Sequence, residues 1–380
     1  MSEEFGAAMR RALRAVRSGE VSEATGIIQK ALGSGGDRAR PRPRPRMRRS
    51  LREVVRTLGE GRLAFRAPSA PPAPAAEPEI PEGAAFLEAV HAEAAGSRRY
   101  RLYRPASLGA AAPRGLVLML HGCTQTPEDF ARGTRMNRLS EAHRLVVVYP
   151  EQTRAHNMKA CWHWFRPGDQ QRDAGEPAIL AGLARAVAAE HGVPEGRVFV
   201  AGLSAGGAMA AVLGAAYPDV FAAVGVHSGV PTGTANDVLS ALAVMRGETG
   251  PGAGPQGLLV PLIVFHGDAD TVVHPMNGER LAAAGITSGA PRAARGTAGG
   301  REFRRWVEQS DAGAALECWL VAGAGHAWSG GDPSGSFADA EGPDASAEMV
   351  RFFLGTDRRV WTAHQHRTDT RAGSNGREAT

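Results

Sequence analysis

The stretch 198–212, VFVAGLSAGGAMAAV, opens as an apolar strand, narrows to small residues around Ser204 and continues as an alanine-rich helix. Gly202-Leu203-Ser204-Ala205-Gly206 fits G-x-S-x-G in the strand-to-helix setting that gives this pattern its meaning. A turn that sharp forces the serine into a strained backbone conformation and thrusts its hydroxyl outward. Side chains two residues before and two after it would meet neighbouring backbone, which accounts for glycine at 202 and 206. The helix beginning at Ala205 aims unpaired N–H groups and the positive end of its dipole at the same spot, where a developing oxyanion would be held. The competing reading is a glycine-rich turn without chemistry, and the strand before it and helix after it argue against that.

On either side of this corner the chain alternates strand and helix patterns. Short apolar runs at 115–122, 145–150, 197–204, 222–229, 262–270 and 316–328 each end in glycine or polar residues, and 99–106 reads as an earlier strand. Helical spacing marks 127–144, 176–192 and 205–218. Strands alternating with helices predict an α/β fold: a mostly parallel central sheet with helices on both faces. In such sheets ligands gather at the carboxyl ends of the strands, so the polar residues there are the candidates for chemistry.

A serine hydroxyl is a weak nucleophile near neutral pH and needs a base, which in turn needs an orienting acid. In this architecture the partners follow in the order Ser, Asp or Glu, His. The segment VFHGDADTVVHP supplies two candidate acids, Asp268 and Asp270, after the next-but-one strand. His326 follows the 316–328 run among Gly and Ala in GAGHAWSGG; His364 and His366 lie in a polar tail with no strand before them. Order and loop placement select His326 as the base.

From about residue 97 to 355 the chain resembles the poly(3-hydroxybutyrate) depolymerase family of esterases, relatives of feruloyl and acetyl-xylan esterases. The blocks that carry the likeness, in order, are LHGCTQTPEDFARGTRMNRLSEAHRLVVVYPEQ, CWHWFRPGDQQRDAGEPA, GLSAGGAM, HGDADTVVHPMN and GHAWSGG. The resemblance implies an α/β-hydrolase fold and carboxylic-ester hydrolysis with neither metal nor cofactor. Its acid lies in H-G-x-x-D, hence at Asp270, which leaves Asp268 as a turn-forming residue. It implies acyl transfer to Ser204, with His326 as base and then acid, and an oxyanion hole formed by the backbone N–H groups of Ala205 and Cys123. Trp162, Trp164 and Trp328 stand beside these motifs and are expected to line an apolar substrate cleft. Trp328 is the first choice because it lies two residues after His326; core packing is the competing reading for Trp162. Cys123 and Cys161 fall in loops that approach the site. Buried free thiols are the preferred reading and a disulfide the alternative.

Composition bounds the rest. With 43% apolar and 22% charged residues the 380-residue chain has the balance of a globular protein, and no apolar run is long enough to span a membrane. Three cysteines are too few for a disulfide scaffold and match no zinc spacing. The formal charge of +5 is unevenly spread: residues 1–66 hold fifteen arginines and one lysine against seven acids, a local +9, so the remainder totals −4. Short helices are predicted at 3–17, 21–32 and 50–61, separated by an Arg-Pro repeat that can form neither helix nor sheet interior. The expected organisation is a basic helical and Pro-rich arm at 1–83, an α/β-hydrolase domain at 84–356 and a disordered polar tail at 357–380. Docking on an anionic surface is conceivable only through residues 1–66, and nothing suggests nucleic-acid binding.

The N-terminus has no apolar core of a signal peptide, so a cytoplasmic location is expected, with the extracellular one common among such esterases as the alternative. No polymer-binding segment is visible either, which argues against efficient attack on crystalline polymer and leaves soluble oligoesters or other esters equally open as substrates. Three functions compete: a hydroxyalkanoate esterase, a feruloyl or acetyl-xylan type carbohydrate esterase, and a non-catalytic scaffold docked by its basic arm.

Overall fold

The structure, a computed structural model, describes residues 78–109, 111–250, 260–284, 292–310 and 313–356. Backbone contacts divide the chain between Pro71 and Pro72, and every element described belongs to the second unit, Pro72–Thr380. The predicted arm helices, the Arg-Pro repeat, the anionic-surface docking segment and the C-terminal tail lie outside the described residues.

Ten strands form one sheet: β1 (Ala85–Glu93), β2 (Gly96–Arg104), β3 (Gly115–Leu120), β4 (Leu145–Pro150), β5 (Val198–Leu203), β6 (Ala223–His227), β7 (Leu262–Gly267), β8 (Arg292–Ala298), β9 (Arg301–Ser310) and β10 (Gly313–Val321). Their order is β1-β2-β4-β3-β5-β6-β7-β10-β9-β8. The six central strands from β4 to β10 run parallel, and an antiparallel hairpin flanks them at each edge. The six apolar runs expected to be strands form this parallel centre, and 99–106 overlaps β2. Strands β1, β8 and β9 were not expected.

Residues of the central strands alternate between two cores, as a sheet covered on both faces requires. Leu116, Leu118, Val146, Val148 and Val200 face helices α3 (Gly175–Glu190) and α4 (Ala205–Ala216). Val117, Met119, Val147, Phe199 and Ile263 face α1 (Pro127–Thr134), α2 (Met136–His143) and α7 (Ala345–Gly355), where Phe353 stacks on Phe199 at 5.0 Å. Two further helices, α5 (Val238–Met245) and α6 (Met276–Ala284), follow β6 and β7. The helix expected over 127–144 is broken at Arg135, which adopts φ 53° and ψ 23° between α1 and α2. Among the described residues no helix is long and apolar enough to cross a membrane.

Candidate active site

Ser204 closes β5 and caps α4 with φ 57° and ψ −119°, a conformation L-residues rarely hold. Its N–H donates to the His227 carbonyl at the end of neighbouring β6 (2.9 Å), and its carbonyl accepts from Ala208 N–H (2.9 Å), so both sides of the corner are fixed. The glycine requirement is steric. A Cβ on Gly206 would lie 2.0 Å from the Leu120 carbonyl oxygen, and one on Gly202 would lie 2.4 Å from the backbone of Gly206. The corner can exist only where β5, β3 and α4 approach this closely.

The acid and base arrive on two loops stitched together at the carboxyl ends of β7 and β10. Asp268 N–H donates to Val321 O (3.0 Å), Ala269 N–H to Ala324 O (3.1 Å), and Gly323 N–H to Asp268 Oδ1 (2.7 Å). A Cβ on Gly267 would lie 2.2 Å from Ala324 O, so the contact tolerates no side chain there. Asp268 is therefore occupied in joining the two loops, rather than in capping a turn of its own backbone. Asp270 Oδ2 instead meets His326 Nδ1 at 2.7 Å, while Asp270 Oδ1 accepts from the N–H groups of Val272 (2.8 Å) and Val273 (2.9 Å). Burial works to raise the Asp270 pKa. Hydrogen bonds from His266 and His326, with the Coulomb attraction of His326, outweigh it and hold the carboxyl well below the usual carboxylate range. With Nδ1 donating to Asp270, the imidazole of His326 has Nε2 free to take a proton. Among the described residues the Ser204 hydroxyl makes no hydrogen bond to His326; such contacts often tighten only when substrate is bound.

Neither Ala205 N–H nor Cys123 N–H donates a hydrogen bond among the described residues. Ala205 begins α4, and Cys123 follows β3 at the same end of the sheet. Two backbone N–H groups without a hydrogen-bond partner at this end of the sheet are of the kind that can hold a tetrahedral oxyanion.

Several expectations are corrected. Trp162 and Trp328 are 0% and 1% exposed, and Trp164 is 7% exposed, so all three are core residues rather than walls of an open cleft. Trp162 Nε1 donates to the His121 carbonyl (3.0 Å); Trp328 Nε1 donates to Ser346 Oγ (3.0 Å) while its ring stacks on His227 at 5.1 Å. The indole N–H groups of Trp162 and Trp328 thus have buried partners, the arrangement a core tryptophan requires. Free thiols at Cys123 and Cys161 are also overturned: the two form a disulfide, with Cα atoms 4.3 Å apart. Cys318 is the free, buried cysteine.

Two histidines escaped the sequence reading. His227 is buried at the end of β6 beside Ser204, its Nε2 accepting from Ser329 N–H (3.0 Å). His266 donates from Nε2 to Val273 O (2.8 Å) and lies 3.5 Å from Asp270 Oδ2, the same oxygen that meets His326. The available signal was a polar residue at the carboxyl end of an otherwise apolar strand, in VGVHS and VFHGD. A separate concavity of about 500 Å³, lined by Asp268, Arg295, Thr297, Glu302, Arg304 and Leu320 among others, lies along the β8–β9 hairpin and is not lined by Ser204, Asp270 or His326.

Comparison with known proteins follows this geometry. Residues 98–305, more than half of the chain, match the family described as "Esterase PHB depolymerase". The chain is 35% identical over 185 residues to poly(3-hydroxyalkanoate) depolymerase C of Paucimonas lemoignei, covering 46% of this chain and 44% of that protein. It is 28% identical over 202 residues to acetylxylan esterase A of Talaromyces purpureogenus, covering 48% of this chain and 51% of the other. The chain thus spans about half the length of these curated relatives. Among solved structures, an acetyl xylan esterase from Aspergillus awamori superimposes with a TM-score of 0.52 at 21% identity, over 68% of this chain and 94% of that one, a likeness of fold.

Proposed function

The chain belongs to the esterase PHB depolymerase family, and we propose that it is a serine esterase acting on 3-hydroxyalkanoate-type esters through Ser204, His326 and Asp270. One observation carries the reading: a buried Asp270 carboxylate binds His326 Nδ1 at 2.7 Å, on loops at the same end of the sheet as the strained Ser204 corner. His326 Nε2 takes the Ser204 proton as Oγ attacks the ester carbonyl. The N–H groups of Ala205 and Cys123 hold the resulting oxyanion. His326 returns the proton to the leaving alcohol, the acyl-enzyme remains on Ser204, and water activated by His326 then releases the acid. Asp270 keeps the imidazole in the correct tautomer and stabilises the imidazolium.

A carbohydrate esterase is the second reading, favoured by the likeness to acetylxylan esterase A. The Cys123–Cys161 disulfide supports an oxidising compartment rather than the cytoplasm, because such bonds persist where thiols are not kept reduced.

The deciding experiment compares kcat/KM for soluble 3-hydroxybutyrate oligomers, feruloyl esters and acetylated sugars, with Ser204→Ala as the blank. Preference for the hydroxyacid oligomers is expected; preference for the sugar-linked esters would move the protein to the second reading. No turnover above the blank would leave a non-catalytic scaffold. Among active-site variants, Asp270→Asn should be severe, with kcat down roughly 10⁴-fold, and Asp268→Asn mild. The reverse order would mean that the carboxylates have been misassigned.

A further inference from the structure

The segment CWHWF, read from sequence as cleft lining, does something else in the fold. It is the near side of a buried hydrogen-bond network that centres on Glu176, in the first turn of α3, and reaches His121 and Thr124 on either side of Cys123. Glu176 is 4% exposed. Its carboxylate accepts from His163 N–H (2.7 Å), His163 Nδ1 (2.9 Å), Arg98 Nη2 (3.1 Å) and Gln152 Nε2. Burial alone would raise its pKa; His163 and Arg98 reverse this and lower it, so the group is an anion in the core.

Gln152 and His163 hand the constraint on. Gln152 Nε2 also donates to Cys161 O (3.0 Å), and Gln152 N–H donates to His121 Nε2 (3.0 Å). Asn157 Oδ1 accepts from Lys159 N–H (2.9 Å), which turns Asn157 Nδ2 toward His163 Nε2 (3.1 Å). His163 therefore carries its proton on Nδ1, facing Glu176. Residues 157–163 are thus fixed from within. They grip the loop after β3 at three points: Thr124 N–H to Lys159 O (2.9 Å), Trp162 Nε1 to His121 O (3.0 Å), and the Cys123–Cys161 disulfide. The residue so clamped is Cys123, whose N–H is unspent.

We propose that Glu176 is a positioning residue for the oxyanion hole: through Gln152 and His163 it holds the Cys123 N–H where the tetrahedral oxygen forms. The inference rests on the esterase reading above. It requires a buried anion because one carboxylate can gather four donors from three separate chain segments, which no neutral side chain can. A donor displaced by a fraction of an ångström loses transition-state stabilisation while leaving ground-state ester binding almost unchanged.

The test uses Glu176→Gln and Gln152→Met in the full chain, with Ser204→Ala as the blank. Two readouts separate positioning from mere structure: the split between kcat and KM, and affinity for a phenylboronic acid, whose adduct with Ser204 places an oxygen in the oxyanion hole. We expect kcat to fall roughly 10- to 100-fold, boronate affinity to fall in parallel, and KM to stay within about twofold. Unchanged kcat and boronate affinity in folded variants would overturn the proposal, as would KM rising in step with the loss. If Glu176→Gln fails to fold, Gln152→Met decides alone, since it removes two donors and leaves the anion paired with Arg98 and His163. A wild type no more active than Ser204→Ala would instead remove the esterase reading itself.

Discussion

At the scale of single residues, the site is built from polar groups placed where burial is costly and made tolerable by partners. His227 is the sharpest case. Its ring is sandwiched between Trp328 and Phe265, 5.1 and 5.9 Å away, and its two nitrogens are paired with Ser329 N–H and Ser228 Oγ. Burial, reinforced by the neighbouring His266 and His326, lowers its pKa to about 3. In the unfolded chain the same ring titrates near 6.5. As pH falls from about 6.5 toward 3, the unfolded state binds a proton that the native state refuses, and stability drops by roughly 1.4 kcal/mol per unit. His121, also lowered by burial, acts in the same direction. Asp270, depressed in the fold, adds its own loss only as pH falls below about 4 and onward through its folded value. Urea midpoints should therefore decline from about pH 7 to pH 5, before carboxylates matter. His227→Phe should be less stable at neutral pH, having orphaned Ser329 N–H, yet show a shallower decline; parallel curves would refute the assignment. Ser204 was legible because its motif is local, whereas His227 was one histidine among twelve, marked only by its place at a strand end. The choice of Asp270 over Asp268 needed a family likeness, because both carboxylates follow the same strand and only the third dimension shows which one reaches His326.

At the scale of elements, what could be read from sequence was what local pattern encodes. The six parallel strands are continuous apolar runs because both faces are buried, and that signature is hard to miss. The edge hairpins lack it. Strand β8 reads RAARGTA and is almost wholly exposed, so neither propensity nor alternation marks it; only its register with β9 makes it a strand. Strand β1, AFLEAVHAE, is rich in good helix formers, and pairing with β2 overrides that preference. The break at Arg135 was hidden for a related reason, since the left-handed position itself is an arginine and Gly133 lies within α1 rather than at the break. The Ser204 corner is the opposite case, an element junction dictated by two glycines. Gly206→Ala would drive a methyl group into the Leu120 carbonyl, an overlap with backbone that no rotamer can relieve. We expect a loss of at least about 3 kcal/mol or outright failure to fold. Gly168→Ala, with nothing within 4 Å of the added Cβ, should be neutral and serves as the matched control. Thermal unfolding of the two variants checks this, and equal midpoints would contradict the steric account.

At the scale of the whole molecule, the sheet presents its chemistry at one end, and two covalently or sterically locked loop pairs keep that end in register. One pair, after β7 and β10, is locked by backbone hydrogen bonds through Asp268 and by the bare contact at Gly267. The other, after β3 and β4, is locked by the Cys123–Cys161 disulfide across a sequence separation of 38 residues. This second lock was the sequence reading's main error, because two cysteines that far apart carry no mark of their pairing. Closing a loop of that length removes enough unfolded-chain entropy to stabilise the fold by about 4 kcal/mol in the chain-entropy account. Treatment with a thiol reductant should therefore lower the unfolding temperature by several degrees. The titratable thiol count of the denatured chain should rise from one, Cys318, to all three cysteines. The Cys123→Ala/Cys161→Ala double variant should start at the lower temperature and be indifferent to reductant. The oxyanion donor proposed for it is a backbone N–H that survives the substitution, and its loop is still tied by Thr124, Trp162 and Gln152. Residual turnover with a reduced kcat is thus expected of it, rather than the near-complete loss expected of Ser204→Ala. Loss as complete as that of Ser204→Ala would mean that the disulfide alone sets the oxyanion loop. An unfolding temperature unmoved by full reduction would mean that the hydrogen-bonded clamp alone holds it.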